Sequence, residues 1–171
     1  RTEQVVNGVE WTLEAGISPG LNMLFGNLGD TKETLQKAVD FLIEYDDQAQ
    51  RRTIRPVTPY PGSPLYYMAI ERGLLEGPAD FYEKKHLNSD LLCCNFTELS
   101  DEEVYAALED ANKQLAVNFF DSNRDNALSQ IEYLYREKDT TFRGFRQGMK
   151  SQGKSAPATG ASFGAAASDS M

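Results

Sequence analysis

Two short segments carry residue types that often surround a ligand in an α/β protein. The first is Gly26-Asn27-Leu28-Gly29-Asp30-Thr31, which follows a short apolar run and precedes a helical pattern. Where a parallel strand meets a helix N-terminus, free amides point outward and glycine permits a ligand to approach closely. The alternative is a tight strand-to-helix turn that binds nothing.

The second segment is Thr58-Pro59-Tyr60-Pro61-Gly62-Ser63-Pro64-Leu65-Tyr66. Its three prolines and one glycine stiffen the loop and lower the entropy of holding it in one shape. The alternative here is a rigid connector between a strand and a helix, which needs no ligand.

Few other residues have side chains that could act in catalysis or bind a ligand or metal. His86 is the only histidine, and its position beside two lysines favours a surface role over a catalytic one. Arg55 could bind a ligand carboxylate, but a structural acid is the favoured partner. Cys93 and Cys94 are adjacent, so on an extended segment their side chains point to opposite faces. We interpret them as partly buried small apolar residues in a reducing environment and expect a cytoplasmic protein.

The elements that position these segments alternate between helix and strand. A helix is expected over residues 2–15, a buried strand over 20–25, and a helix that Asp30 or Thr31 caps. A second strand is expected over residues 53–58, although Pro56 removes one ladder donor. This order predicts parallel pairing and an α/β fold.

The remainder of the chain is expected to be mainly helical. Ser100 and Glu103 match the capping box at the start of a helix that reaches Phe119, and another helix is expected from Asp125 to about Glu137. The end of the chain is almost entirely glycine, alanine and serine, which predicts disorder. The predicted divisions are residues 1–75, residues 76–150 and a disordered tail at 151–171.

Composition excludes two classes of function. The 171 residues include 17 basic and 26 acidic ones, a net charge of -9, which argues against a general nucleic-acid binder. No apolar run approaches the roughly 18 residues of a membrane-spanning helix. Because the chain opens at Arg1 without an initiator methionine, we expect it to be cut from a longer polypeptide.

In combination, the two loops resemble the radical S-adenosylmethionine enzymes. Members often carry E-A-G-I, then G-L-P-G-E-T, then T-P-Y-P-G-T-P-L-Y; this chain has Glu14-Ala15-Gly16-Ile17 followed by the two segments above. The resemblance covers roughly residues 5–120 and is nearest to the branch with a cobalamin-binding domain. It implies the C-terminal portion of a partial (β/α)6 TIM-like barrel over residues 1–75, with a helical extension behind it. The chain departs from the family at Leu28 and Asp30, where the pattern has proline and glutamate.

The resemblance also implies a function. Such enzymes use a [4Fe–4S] cluster and S-adenosylmethionine to generate a 5′-deoxyadenosyl radical, and some also use cobalamin. The Cys-x3-Cys-x2-Cys of the cluster is absent here, so we expect the fragment alone to be inactive, without catalytic or metal-binding residues of its own. By this resemblance, the chain would line the side of the barrel that contacts adenosine and the substrate. The implied cofactor-binding residues are Leu24, Phe25, Gly26, Val57, Thr58 and Pro59.

The expected partners are the missing N-terminal half of the same polypeptide and a small-molecule or peptide substrate. In a second hypothesis the chain is a stand-alone, non-catalytic, acidic α/β module that binds another protein. It explains the lack of catalytic groups, but it leaves a sheet of two strands without neighbours.

Overall fold

The computed structural model describes residues 2–141, and most of these residues are helical. In chain order the elements are helix α1 (Thr2–Glu14), strand β1 (Met23–Phe25), helix α2 (Lys32–Tyr45), strand β2 (Ile54–Pro56), helix α3 (Pro64–Glu71), the short helix α4 (Pro78–Asp80), which runs into a π-helix (Phe81–Lys85), and helix α5 (Asp101–Glu137). Over this part of the chain, no helix combines the length and the apolar character needed to cross a membrane.

The two strands form one parallel sheet, as the order of the elements predicted. Met23 lies opposite Ile54, and Phe25 lies opposite Pro56. Helix α2 connects the strands, and its N-cap residue Thr31 forms a capping box with Thr34. On one face of this helix, Leu35, Val39 and Leu42 are buried.

The expected portion of a partial (β/α)6 barrel is wrong. Within residues 2–141 the sheet has only two strands of three residues each, and the rest of the regular structure is helical. The outer edge of β2 is closed by a side chain: the Ile54 N–H donates to Asn112 Oδ1 at 2.9 Å, and Asn112 Nδ2 donates to the Ile54 carbonyl at 3.0 Å. Pro56 has no N–H to offer. A further strand therefore finds no free donor at either residue.

Two apolar clusters hold the elements together. The first lies between the sheet, α2 and the first half of α5, and it joins residues from both of the ranges 1–75 and 76–150. Its buried members are Phe25, Leu35, Val39, Leu42, Ile54, Val104, Leu108, Ala111 and Leu115. The second lies around α3 and the π-helix, and its buried members are Tyr66, Ala69, Leu75, Phe81, Cys93, Cys94 and Phe96.

Helix α5 is longer than expected, because the two helices predicted after Ser100 are one element of 37 residues. The capping box of Ser100 and Glu103 is confirmed at its start. No glycine or proline interrupts residues 120–125, and Arg124 pairs there with Asp121 and Asp125. The predicted disordered tail at 151–171 lies outside the described residues.

Candidate functional site

The six implied cofactor-binding residues lie where the chain leaves the carboxyl ends of β1 and β2, a place that we call the strand edge. The Val57 N–H donates to the Phe25 carbonyl oxygen at 2.8 Å, so the chain leaves both strands side by side. Gly26 has a φ of +98°, which favours glycine, and a Cβ there would lie 4.0 Å from Val57 Cγ1. The two segments singled out in the sequence therefore start from adjacent points.

The six residues differ in what a ligand could touch. Leu24 is 62% exposed, and Val57 and Thr58 are half-buried. Phe25 belongs to the first apolar cluster, and Gly26 and Pro59 are also buried. The accessible surface at this edge is therefore formed by Leu24, Val57 and Thr58, with the other three beneath it.

The turn after β1 is held by hydrogen bonds between its own residues. The amides of Gly26 and Asn27 donate to Asp30 Oδ2 at 3.0 and 2.9 Å, and the Asp30 amide donates to the Asn27 carbonyl at 3.1 Å. These amides are therefore already satisfied by a carboxylate, which also disfavours an anion at the same place. The segment is thus a tight strand-to-helix turn held by Asp30.

The loop after β2 carries Tyr60 towards the π-helix. The Tyr60 amide donates to the Thr58 carbonyl at 3.0 Å, and Ser63 caps α3 by accepting from the Tyr66 amide at 3.2 Å. The Tyr60 ring centroid lies 5.3 Å from that of His86. His86 is half-buried beside this loop rather than on an open surface. Sequence reasoning missed the pair because 26 residues separate its members and no local pattern joins them.

Arg55 projects from the middle of β2 and binds a structural acid. Its Nε lies 2.9 Å from Asp90 Oδ1, and both side chains are more than half exposed. The favoured interpretation of this arginine, a structural acid as its partner, is confirmed.

The two thiols do not fit an iron–sulfur cluster. Cys93 and Cys94 are both buried, and their Sγ atoms lie 3.9 Å apart. Burial raises the pKa of Cys93, and it raises the pKa of Cys94 to about 12. A [4Fe–4S] cluster is held by more thiolate ligands than these two residues supply. Among residues 2–141, no group of three His, Cys, Asp or Glu side chains could hold a metal ion.

A groove of about 140 Å³ lies between α2 and α5. It is lined by Lys32, Leu35 and Ala107, among others, and shares no residue with the strand edge. Pockets that enclose a drug-sized ligand measure about 300–1,000 Å³. The groove is therefore too small to enclose a molecule the size of S-adenosylmethionine.

Comparison of the chain with protein-family models, with curated proteins and with solved structures found no match. The resemblance to radical S-adenosylmethionine enzymes therefore stands on the motifs alone.

Proposed function

We propose that this chain is part of a radical S-adenosylmethionine enzyme and that its strand edge contacts the adenosine group. One observation supports this above the others: the two family-like segments leave neighbouring parallel strands, with Val57 N and Phe25 O 2.8 Å apart. Ligands of parallel α/β units collect at the carboxyl ends of the strands. The proposal concerns this edge and does not require a barrel.

The character of the edge suits an uncharged, flat group. Leu24 and Val57 offer apolar surface, and the Thr58 hydroxyl can donate or accept one hydrogen bond. Because Asp30 already satisfies the amides of Gly26 and Asn27, the turn does not select for phosphate. Adenosine carries no charge at neutral pH, so this carboxylate does not oppose it.

In this proposal the chain has a binding role only. Cys93 and Cys94 do not fit the cluster, so its thiolate ligands must come from sequence outside this chain. Cobalamin would likewise be bound elsewhere. A reducing cytosol is the compartment that suits both the free thiols and such a cluster.

The test is anaerobic reconstitution, with iron and sulfide, of the polypeptide in which this chain occurs. We expect a bound cluster and release of 5′-deoxyadenosine from S-adenosylmethionine. Leu24→Glu should weaken S-adenosylmethionine binding by placing a charge on the apolar edge. Leu28→Glu is the matched control, since Leu28 is also exposed but lies in the turn. A reconstituted protein that holds no cluster and cleaves no S-adenosylmethionine would contradict the proposal.

A second candidate function is a non-catalytic interaction module. It is favoured by the second half of α5, where apolar side chains are exposed on the face opposite Leu108, Ala111 and Leu115. The exposed residues on that face are Val117, Phe120, Leu128, Ile131 and Tyr135. Size-exclusion chromatography and circular dichroism of the isolated chain separate the two candidates. A compact monomer with cooperative thermal unfolding favours the module, and aggregation favours the enzyme fragment.

A further inference from the structure

Tyr60 and His86 are in contact because a π-helix places the histidine beside the loop after β2. The His86 amide donates to the Phe81 carbonyl at 2.8 Å and completes the wide turn. Asp80 fixes the start of this turn by accepting from the Glu76 amide at 3.1 Å. Single π-helical turns are rare and occur frequently at functional sites.

The imidazole of His86 is held by aromatic rings on two sides. It stacks on Phe81 with centroids 5.0 Å apart and rings 16° from parallel, and it meets Tyr60 edge to face at 73°. Phe81 itself is completely buried, so it provides a fixed support. The ring nitrogen Nε2 faces the Tyr60 hydroxyl at 3.5 Å, a distance longer than that of a typical hydrogen bond.

The other ring nitrogen indicates where the proton lies. His86 Nδ1 is buried and has no hydrogen-bond partner among the described residues. A buried N–H without an acceptor is rarer than a buried acceptor without a donor. The favoured tautomer therefore carries its proton on Nε2 and donates to the Tyr60 oxygen. This leaves the hydrogen of the tyrosine hydroxyl free to point elsewhere.

Tyr60 follows directly after Pro59, the last residue of the strand edge. Its ring is about half exposed, and its amide is bonded to Thr58, one of the residues of the candidate site. An exposed aromatic ring is a suitable stacking surface for a nucleobase. The ring and its hydroxyl thus offer two contacts of the kind that a nucleoside uses.

We propose that Tyr60 is a nucleoside-binding residue at this edge, donating a hydrogen bond to the ligand, and that His86 is the residue that orients it. The inference rests on the proposed function, because it supplies a further contact for the adenosine group. It assigns a role to the loop after β2 beyond that of a rigid connector.

The only histidine of the chain makes the test direct, since its ring ¹H–¹⁵N signals need no assignment by mutation. We expect these signals to report the Nε2–H tautomer in the free chain and to move when adenosine or S-adenosylmethionine is added. Tyr60→Phe keeps the stacking ring and should weaken adenosine binding about tenfold, the effect of one hydrogen bond. Tyr135→Phe, at an exposed tyrosine far along α5, should leave binding unchanged.

A double-mutant cycle tests the orienting role. His86→Phe keeps a ring on Phe81 but removes Nε2, and it should weaken adenosine binding several-fold in the wild-type background. In the Tyr60→Phe background it should have no further effect, because no hydroxyl remains to orient. An equal effect in both backgrounds would overturn the orienting role, and circular dichroism of each variant checks that it folds.

The outcomes separate the two proposals. If wild-type chain binds adenosine and Tyr60→Phe binds it equally well, the role of Tyr60 is wrong and the proposed function stands. An Nδ1–H tautomer would also overturn the inference alone. If neither adenosine nor S-adenosylmethionine binds the folded wild-type chain, the role of Tyr60 is wrong, whereas the proposed function is overturned only by a reconstituted polypeptide that holds no cluster and cleaves no S-adenosylmethionine.

Discussion

At the scale of single residues, the ion pair of Arg52 with Asp46 offers the sharpest stability prediction. Arg52 Nε lies 2.7 Å from Asp46 Oδ1, and Arg52 also donates to the Pro19 carbonyl at 2.7 Å. The Asp46 side chain is fully buried. Arg52→Ala leaves that charge unpaired and should lower the free energy of unfolding by about 3–5 kcal/mol, measured by urea denaturation. Arg51→Ala, at the exposed neighbour, should change it by less than about 0.5 kcal/mol. Equal losses in the two variants would contradict this role.

The buried thiols predict a loss of stability in alkaline solution. Burial raises the pKa of Cys94 from its usual 9.0 to about 12, and it also raises the pKa of Cys93. The unfolded chain therefore gives up these protons first, so the free energy of unfolding falls as the pH rises from 9 towards 12. The double variant Cys93→Ala/Cys94→Ala should lose this part of the pH dependence. Urea denaturation at pH 8 and pH 10.5 measures it, and an unchanged slope in the variant would contradict the assignment.

At the scale of elements, α5 divides into a supported and an unsupported half. Its buried residues end at Leu115, and 22 residues of helix follow. A helix that buries no apolar face gains little stability from packing. Backbone amides of residues 104–115 should therefore exchange with deuterium more slowly than those of residues 118–137, by a factor of at least about ten. Mass spectrometry of pulse-labelled chain tests this, and uniform protection along α5 would instead indicate that a partner covers its second half.

The elements also show which parts of the fold were predictable. Helix α2, the capping box at Ser100 and both strands follow from periodicity and cap chemistry within a few residues. The continuity of α5 was missed because polar residues near 121–126 look like a break, although Arg124 joins the two halves by local ion pairs. The barrel was wrong for a non-local reason: strand count depends on what closes the outer edge of β2, and Asn112 lies 58 residues from Ile54.

The candidate site was likewise predictable from the sequence only in part. The meeting of residues 24–26 with 57–59 follows from parallel pairing, which the strand–helix–strand order predicted. A tight turn after β1 was one of two interpretations of its sequence, and its closure by the Asp30 carboxylate was not predicted. The Tyr60–His86 contact had no signal at all, since it depends on a π-helix whose residues Phe81–Lys85 show no distinguishing pattern.

At the scale of the whole molecule, Asn112 links α5 to the sheet. Its side-chain amide satisfies both backbone groups of Ile54, and Nδ2 also donates to the Leu108 carbonyl at 2.9 Å. Asn112→Leu keeps the size of the side chain but leaves the Ile54 N–H and carbonyl without partners. Each unsatisfied buried group costs about 1–3 kcal/mol, so the loss of both should lower the free energy of unfolding by about 2–6 kcal/mol.

The same substitution should also change how the molecules associate. With Ile54 unpaired, the outer edge of β2 can bond to a strand of another molecule, so light scattering of Asn112→Leu should show larger species at high concentration. Asn118→Leu, on the same helix and partly buried, is the matched control and should remain near wild type in both measurements. If the two variants lose equal stability and scatter equally, the amide of Asn112 does not close the sheet. If only Asn112→Leu is affected, a single side chain on α5 both stabilises the fold and closes the outer edge of β2.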